Sequence, residues 1–583
     1  MKYPKIPLAQ TVIELCKTKG IKHIVISPGS RNAPLTIGFS NNDYFKCYSI
    51  VDERCAAFFA LGISQQLQEP TAVVCTSGSA LLNYYPAVAE AFYSDIPLVV
   101  LSADRPKHLI DIGDGQTINQ KNVFENHILY SANLKLDLDE EAEAEEELPI
   151  FKNLENKLET LLGLKQGIQE YNEAEINKAI NVTSSKNGPV HINIPFDEPL
   201  YDMVDALSVN PKSISIKKRT IEIEDSILHS CINDWNSASK KMVLVGVNQP
   251  NAIEQKWLDA LAKDDSVIVF TETMSNIHNN EFFPSIDKLI APLKEKDFIN
   301  LQPNILLTFG GLIVSKKIKA FLRKYKPKQH WHIDLNKAND TFFSLNRFIQ
   351  TTPNHFFSKF LSEVKTQESD YKPNWNAVKS IRDNKHKAYL KAIDFSDLKA
   401  FEIILNAIPN DTILQLGNSS TVRYVQLFDL NKTLKVFCNR GTSGIDGSTS
   451  TAIGCAVANT KQTTLISGDL SFIYDSNALW NNYIPNNFRI IIINNQGGGI
   501  FRILPGYKNT ENFDTYFETK HQLTAEHLCK MYGFEYASVS NELDLNNNLH
   551  SFYSKSHQPK LLEIFTPKNS NDEILLQYFK SIS

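Results

Sequence analysis

Between residues 8 and 104 short apolar runs alternate with helix-length segments, and this alternation constrains the fold more than any other feature of the chain. The runs at 23–26, 47–51, 71–75 and 97–102 read as strands, and 8–19, 54–66 and 80–93 read as helices. Strands joined through helical crossovers lie parallel, with helices covering both faces of the sheet. Ligands bind such sheets at the loops that leave the carboxyl ends of the strands, here 27–34, 52–54, 76–79 and 103–120. A buried strand within 188–195 would complete this first sheet. The pattern recurs with strands near 242–247, 266–270, 305–309 and 330–335, and again near 412–416, 434–438, 463–466, 489–493 and 560–565. Three α/β domains, 1–200, 201–375 and 376–583, account for the 583 residues, in keeping with about 150 residues per domain. The acid-rich run 137–147 reads as a solvated face, 148–186 as long polar helices, and the Lys- and Ser-rich 212–218 as a linker. The second domain has no GxGxxG fingerprint, so a dinucleotide is not indicated.

Charge narrows the function. A net charge of −5 supplies no basic field for a nucleic-acid backbone or an anionic membrane, which leaves small-molecule chemistry. The eight cysteines form no Cys-x-x-Cys pair, so neither a zinc cage nor a disulfide framework is expected. No apolar run approaches the ~18 residues that span a bilayer, and the first residues lack a signal-peptide core. A cytoplasmic location is expected.

The strongest local signal lies in the third domain, where Gly468-Asp469-Leu470 follows one strand and Asn494-Asn495-Gln496-Gly497 the next. A carboxylate, an amide oxygen and a backbone carbonyl make a hard oxygen set suited to Mg²⁺. The same residues also suit a helix cap and a turn. In the first domain, Val51-Asp52-Glu53-Arg54 places a carboxylate where a strand meets a helix, a position the helix dipole also favours. Arginine is scarce, 11 against 49 lysines, so each one is informative. Arg31, Arg105, Arg423 and Arg440 all fall at strand-end loops, and a guanidinium fork suits carboxylates better than a lysine does. A substrate with several carboxylates is expected.

The spacing of Gly468-Asp469 and Asn494-Asn495 resembles the diphosphate-binding motif of thiamine-diphosphate enzymes. SPGSRNAPL, DERCAAFFALG, LSADRP, GNSSTVR, NRGTSGIDG, SGDLS and NNQGGGIF together resemble the 2-succinyl-5-enolpyruvyl-6-hydroxy-3-cyclohexene-1-carboxylate synthase family. Leu470 departs from the glycine usual in the motif, and 137–186 is longer and more acidic than the family pattern. The resemblance implies three doubly wound parallel-sheet domains: pyrimidine-binding, central and diphosphate-binding. It implies a homo-oligomer, at least a dimer, with thiamine diphosphate and Mg²⁺ or Mn²⁺ bound at a subunit interface. Glu53 would activate the cofactor. Asp469, Asn495 and the Gly497 carbonyl would hold the metal, while Gly468, Leu470, Ile445 and Phe501 would line the cofactor. Ile445 would be an apolar wedge, although an Ile beside Gly also suits plain core. Ser419, Arg423 and Arg440 would bind 2-oxoglutarate, Ser30, Arg31, Arg105 and Gln116 would bind isochorismate, and Lys316, or its neighbour Lys317, would reach the substrate. The implied reaction decarboxylates 2-oxoglutarate and adds the remainder to isochorismate, in menaquinone biosynthesis. The alternatives are another thiamine-diphosphate carboligase or decarboxylase, acetohydroxyacid-synthase-like, and a non-catalytic binding protein of the same fold.

Overall fold

The computed structural model describes residues 2–136, 167–215, 221–503 and 510–583. The acid-rich run 137–147 and the segment 148–166 lie outside the described residues. The chain falls into two compact units. One comprises Met1–Lys218, Thr449–Thr460 and Asp475–Ile484, and the other Arg219–Ser448, Lys461–Tyr474 and Pro485–Ser583.

The first unit is built on a six-stranded sheet whose neighbours run Lys46–Ser49, His23–Ile26, Thr71–Cys75, Leu98–Asp104, Val190–Pro195 and Tyr130–Asn133. Every pairing is parallel. Thr71–Cys75 and Leu98–Asp104 are buried along their whole length, as strands covered by helices on both faces must be. The expected helix over 80–93 is two helices, Ser79–Asn83 and Tyr85–Tyr93. Pro86 opens the second, where its missing N–H costs nothing. The expected linker is not free over 212–214: the Asn177 amide of helix Ile168–Lys186 donates to the Lys212 carbonyl at 2.8 Å and accepts from the Ile214 N–H at 2.7 Å.

The second unit holds two parallel sheets. The central one orders its five strands Val267–Thr271, Lys241–Val245, Ile305–Phe309, Gln329–Asp334 and Leu345–Gln350. Val243 and Val245 join one apolar cluster and Met242 and Leu244 another, so a single strand feeds cores on both faces. The other sheet runs Lys435–Cys438, Ile413–Leu416, Thr463–Gly468, Phe488–Asn494, Lys560–Phe565 and Glu535–Val539. Ile490, Ile491, Ile492 and Ile493 are buried in its middle, each worth about 1.5–3 kcal/mol relative to exposure. The two six-stranded sheets share one strand order. In both, the order reverses between the first strand and the third, and doubly wound sheets bind ligands at the crevice this reversal opens.

Candidate active site

In the first unit that crevice lies between the loops after His23–Ile26 and Thr71–Cys75. The loops approach so closely that a Cβ on Gly29 would stand 2.4 Å from the Thr76 Cβ, which explains the glycine. Ser30 is exposed and Arg31 buried. The Arg31 guanidinium donates to the Phe196 carbonyl at 3.1 Å and pairs loosely with Glu198, while its Nε has no partner. Arg105 donates to the Gly115 carbonyl at 2.9 Å and pairs with Asp114. Burial, and then the positive charge of Arg105, lower the Arg31 pKa, so the two cations lie close together. Guanidiniums near one another suit an anion with more than one carboxylate.

Gln116 is exposed, at a positive φ of 56°, and its carbonyl packs against Gly78. Gln120, which the motif reading passed over, is what pins this loop. Its amide donates to Asn193 at 2.8 Å and to the Ala103 carbonyl at 3.1 Å, and accepts the Gly78 N–H at 2.9 Å. Asn193 in turn donates to Asp104 at 2.7 Å, whose carboxylate takes the Arg105 N–H at 2.8 Å.

Glu53 opens helix Glu53–Leu67, capped by Asp52, whose carboxylate accepts the Cys55 N–H at 3.1 Å. Burial first, and then the charge of Glu53, raise the pKa of the Cys75 thiol, which places Glu53 beside the end of strand Thr71–Cys75. A half-buried carboxylate at the mouth of the crevice is where an acid facing a bound ring would sit.

In the second unit the corresponding crevice lies between Leu416 and Asp469, and a Cβ on Gly417 would stand 2.8 Å from the Ser467 Oγ. Ser419 takes a φ of 67° at the position before helix Ser420–Val425, where its side chain makes no capping hydrogen bond, and its carbonyl accepts from Arg423. Arg440 donates to the Asn418 oxygen at 2.6 Å. Asn418 is fully employed: its Nδ2 also donates to the carbonyls of Asn439 and Gly444, both at 2.7 Å. Burial, then the charge of Arg440, lower the Arg423 pKa, so this pair too is close. Ile445 is 38% exposed. Its carbonyl accepts from Ser471 Oγ at 2.7 Å, which fixes the loop in front of helix Asp469–Tyr474.

Asp469 is buried, with one oxygen taking the Leu470 N–H at 2.7 Å and the other the Gly497 N–H at 3.0 Å. Gly497, at φ 151°, leaves room for the Glu518 carbonyl that a Cβ would meet at 2.7 Å. The Gly497 carbonyl accepts the Gly499 N–H and keeps a second lone pair. A Cβ on Gly468 would meet nothing within 4 Å, so the space above it is open. Phe501 is 37% exposed and lies edge-on to Phe517. Among the described residues no three His, Cys, Asp or Glu side chains gather around a metal position. The set formed by Asp469, Asn495 and the Gly497 carbonyl is therefore one carboxylate with two neutral oxygens, which fits a hard divalent ion that keeps positions for phosphate oxygens.

His521 was not foreseen. Its Nε2 lies 3.2 Å from Asp469, buried and without a hydrogen-bond partner, from a segment whose sequence carries no motif. Lys316 is exposed at the start of helix Lys316–Lys324, whereas Lys317 is taken up by the ring of Phe579. Lys319, one turn on and half-buried, feels the charges of Glu272 and Arg440, and burial lowers its pKa. Glu272 accepts the N–H groups of Val314 at 2.8 Å and Ser315 at 2.7 Å, and burial pushes its carboxyl up to about 7.

Two sheets of one topology, one presenting a crevice acid and the other a Gly-Asp and Asn-Asn oxygen set, define a thiamine-diphosphate enzyme. Family models described as thiamine pyrophosphate enzyme, N-terminal TPP binding domain and C-terminal TPP binding domain match residues 6–128 and 417–564. Relatives named 2-succinyl-5-enolpyruvyl-6-hydroxy-3-cyclohexene-1-carboxylate synthase match end to end. The one from Flavobacterium psychrophilum is 56% identical over 100% of both chains, and that from Christiangramia forsetii 57% over 99% of both. The one from Porphyromonas gingivalis is 36% identical over 98% of this chain and 96% of its own. The chain belongs to the 2-succinyl-5-enolpyruvyl-6-hydroxy-3-cyclohexene-1-carboxylate synthase family of thiamine-diphosphate enzymes.

Proposed function

We propose that the chain decarboxylates 2-oxoglutarate and adds the remaining four-carbon unit to isochorismate, releasing CO₂ and forming 2-succinyl-5-enolpyruvyl-6-hydroxy-3-cyclohexene-1-carboxylate for menaquinone biosynthesis. One observation carries the reading: the arginines stand in two close pairs, Arg31 with Arg105 and Arg423 with Arg440, at strand-end loops of different units. Two substrates that are each dicarboxylates need two such pairs, and an enzyme joining two pyruvate units does not.

When bound, thiamine diphosphate supplies a carbon nucleophile that takes up an acyl unit from a 2-oxo acid as CO₂ leaves. Glu53 would hold a proton at a nitrogen of the pyrimidine ring. Asp469, the Asn495 oxygen and the Gly497 carbonyl would hold Mg²⁺ or Mn²⁺, with Gly468 and Leu470 beside the diphosphate, Ile445 propping the cofactor and Phe501 lining the pocket. Ser419, Arg423 and Arg440 would receive 2-oxoglutarate, and Asn418 sets the direction of Arg440. Ser30, Arg31, Arg105 and Gln116 would receive isochorismate, with Lys316 approaching from the central domain. The active form is a homo-oligomer, at least a dimer, in the cytoplasm. No helix among the described residues is long and apolar enough to cross a membrane.

The test is to incubate the protein with thiamine diphosphate, Mg²⁺, isochorismate and either 2-oxoglutarate or pyruvate while recording CO₂. Release from 2-oxoglutarate with formation of the succinylated product is expected. No release, or equal turnover of pyruvate, would overturn the reading.

A further inference from the structure

We propose that Asp397 is a positioning residue for the metal, acting through Asn495 by forcing the amide oxygen, and not the amide nitrogen, to face the ion. This rests on the proposed role of Asn495 as a ligand. A side-chain amide can exchange its oxygen and nitrogen by a half-turn at little cost, and in one of the two orientations it would aim N–H groups at a cation. Asp397 removes that freedom. A carboxylate accepts and does not donate, so the Asn495 atom at 3.0 Å from Asp397 Oδ2 is Nδ2, and Oδ1 is turned away from Asp397. The turn that carries Asn495 lies against Asp469, through the Gly497 N–H on Asp469 Oδ2 at 3.0 Å.

Asp397 is itself held from two sides. Its Oδ1 accepts from Thr566 Oγ1 at 2.6 Å, its N–H donates to Asn571 Oδ1 at 2.8 Å, and Asn571 is anchored by donating to the Pro567 carbonyl at 2.8 Å. Asp397 opens helix Asp397–Ala407, and an acid there is ordinarily a solvated partner of the helix dipole. This one is 2% exposed and spends its oxygens on residues 98 and 169 positions away, which a dipole partner does not need. Nor is it neutralised by Arg502, whose Nε and Nη2 go to Glu518 at 2.5 and 2.6 Å. Groups that orient metal ligands in this way commonly contribute 10–100-fold in metal affinity.

The experiment measures Mn²⁺ binding to the full-length protein with thiamine diphosphate, from the free-ion electron paramagnetic resonance signal, for wild type, Asp397→Asn and Thr566→Val. Thr566→Val keeps every charge and removes only the anchor of the carboxylate, so it separates orientation from electrostatics and covers the case in which Asp397→Asn does not fold. The expected results are roughly 10–100-fold weaker Mn²⁺ binding in Asp397→Asn, recovery of its turnover at high Mg²⁺, and a several-fold loss in Thr566→Val with its melting temperature retained. Wild-type Mn²⁺ affinity in the folded variants would overturn the inference while the metal reading stands. A wild-type protein that takes up no Mn²⁺ would overturn both.

Discussion

Arg423 and Arg440 are held by different means, and the difference decides what each tolerates. Arg440 is steered from outside by Asn418, whereas Arg423 reaches back four residues to the carbonyl of Ser419, which sits at a positive φ. A guanidinium can hold that carbonyl with one N–H and still offer a parallel pair to a carboxylate; an ammonium cannot do both. Arg423→Lys should therefore lose one charge-assisted contact, about 1.5–3 kcal/mol, or roughly 10–100-fold in kcat/KM for 2-oxoglutarate. Most of the loss should appear in KM for 2-oxoglutarate, with KM for isochorismate unchanged. Steady-state kinetics check this, and unaltered constants for 2-oxoglutarate would refute the placement. The scarcity of arginine made these residues legible in the sequence. Asn418 was not, since its reach to Arg440, 22 positions on, is a product of two neighbouring strand ends. His521 and Asp397 escaped for the same reason: each acts on a residue that only the folded sheet brings near.

Helix Glu53–Leu67, which carries the candidate acid, is positioned by a crossing with helix Ser448–Val457. A Cβ on Gly454 would stand 2.0 Å from the Phe59 carbonyl oxygen, and one on Gly62 would stand 2.1 Å from that of Thr451. Asp475 joins the two helices nearer their starts, accepting the Ser450 N–H at 2.8 Å and hydroxyl at 2.9 Å and lying 3.7 Å from Cys55 Sγ. Burial pushes its carboxyl up to about 6. Because the obstructing atoms at the crossing are backbone, Gly454→Ala can be accommodated only if the helices part. A loss of about 1–3 kcal/mol is expected, against little change for Gly115→Ala, where the space is open. Urea unfolding of both variants checks this, and equal stability would remove the crossing as the device that sets the helix. The sequence pattern found the interior strands because burial on both faces makes them continuously apolar. It missed Tyr130–Asn133, Leu345–Gln350 and Glu535–Val539, which are all edge strands with partly exposed residues. The family motifs follow other strands, two of them the edge strands Lys46–Ser49 and Lys435–Cys438, so the missed edges took nothing from the resemblance.

Glu53 lies in the first unit and Asp469 in the second, and the family resemblance has the two act in one site contributed by two chains. That arrangement makes a prediction which neither residue makes alone. On the proposed roles, Glu53→Gln would leave the pyrimidine without the acid that holds its proton and Asp469→Asn would weaken metal binding, so each variant should be close to inactive as a pure homo-oligomer while keeping its fold. On the arrangement the resemblance implies, a mixed dimer would pair the intact Glu53 of one chain with the intact Asp469 of the other, restoring one of its two sites. Co-expression of the two variants in equal amounts, with random pairing, should therefore return about a quarter of wild-type activity per chain. A site built within one chain cannot be complemented in this way, because every chain carries one lesion. Activity measured on the co-purified mixture, with differently tagged chains to isolate the mixed species, separates the cases. A mixed dimer as inactive as its parents would mean that Glu53 and Asp469 of the same chain serve the same site.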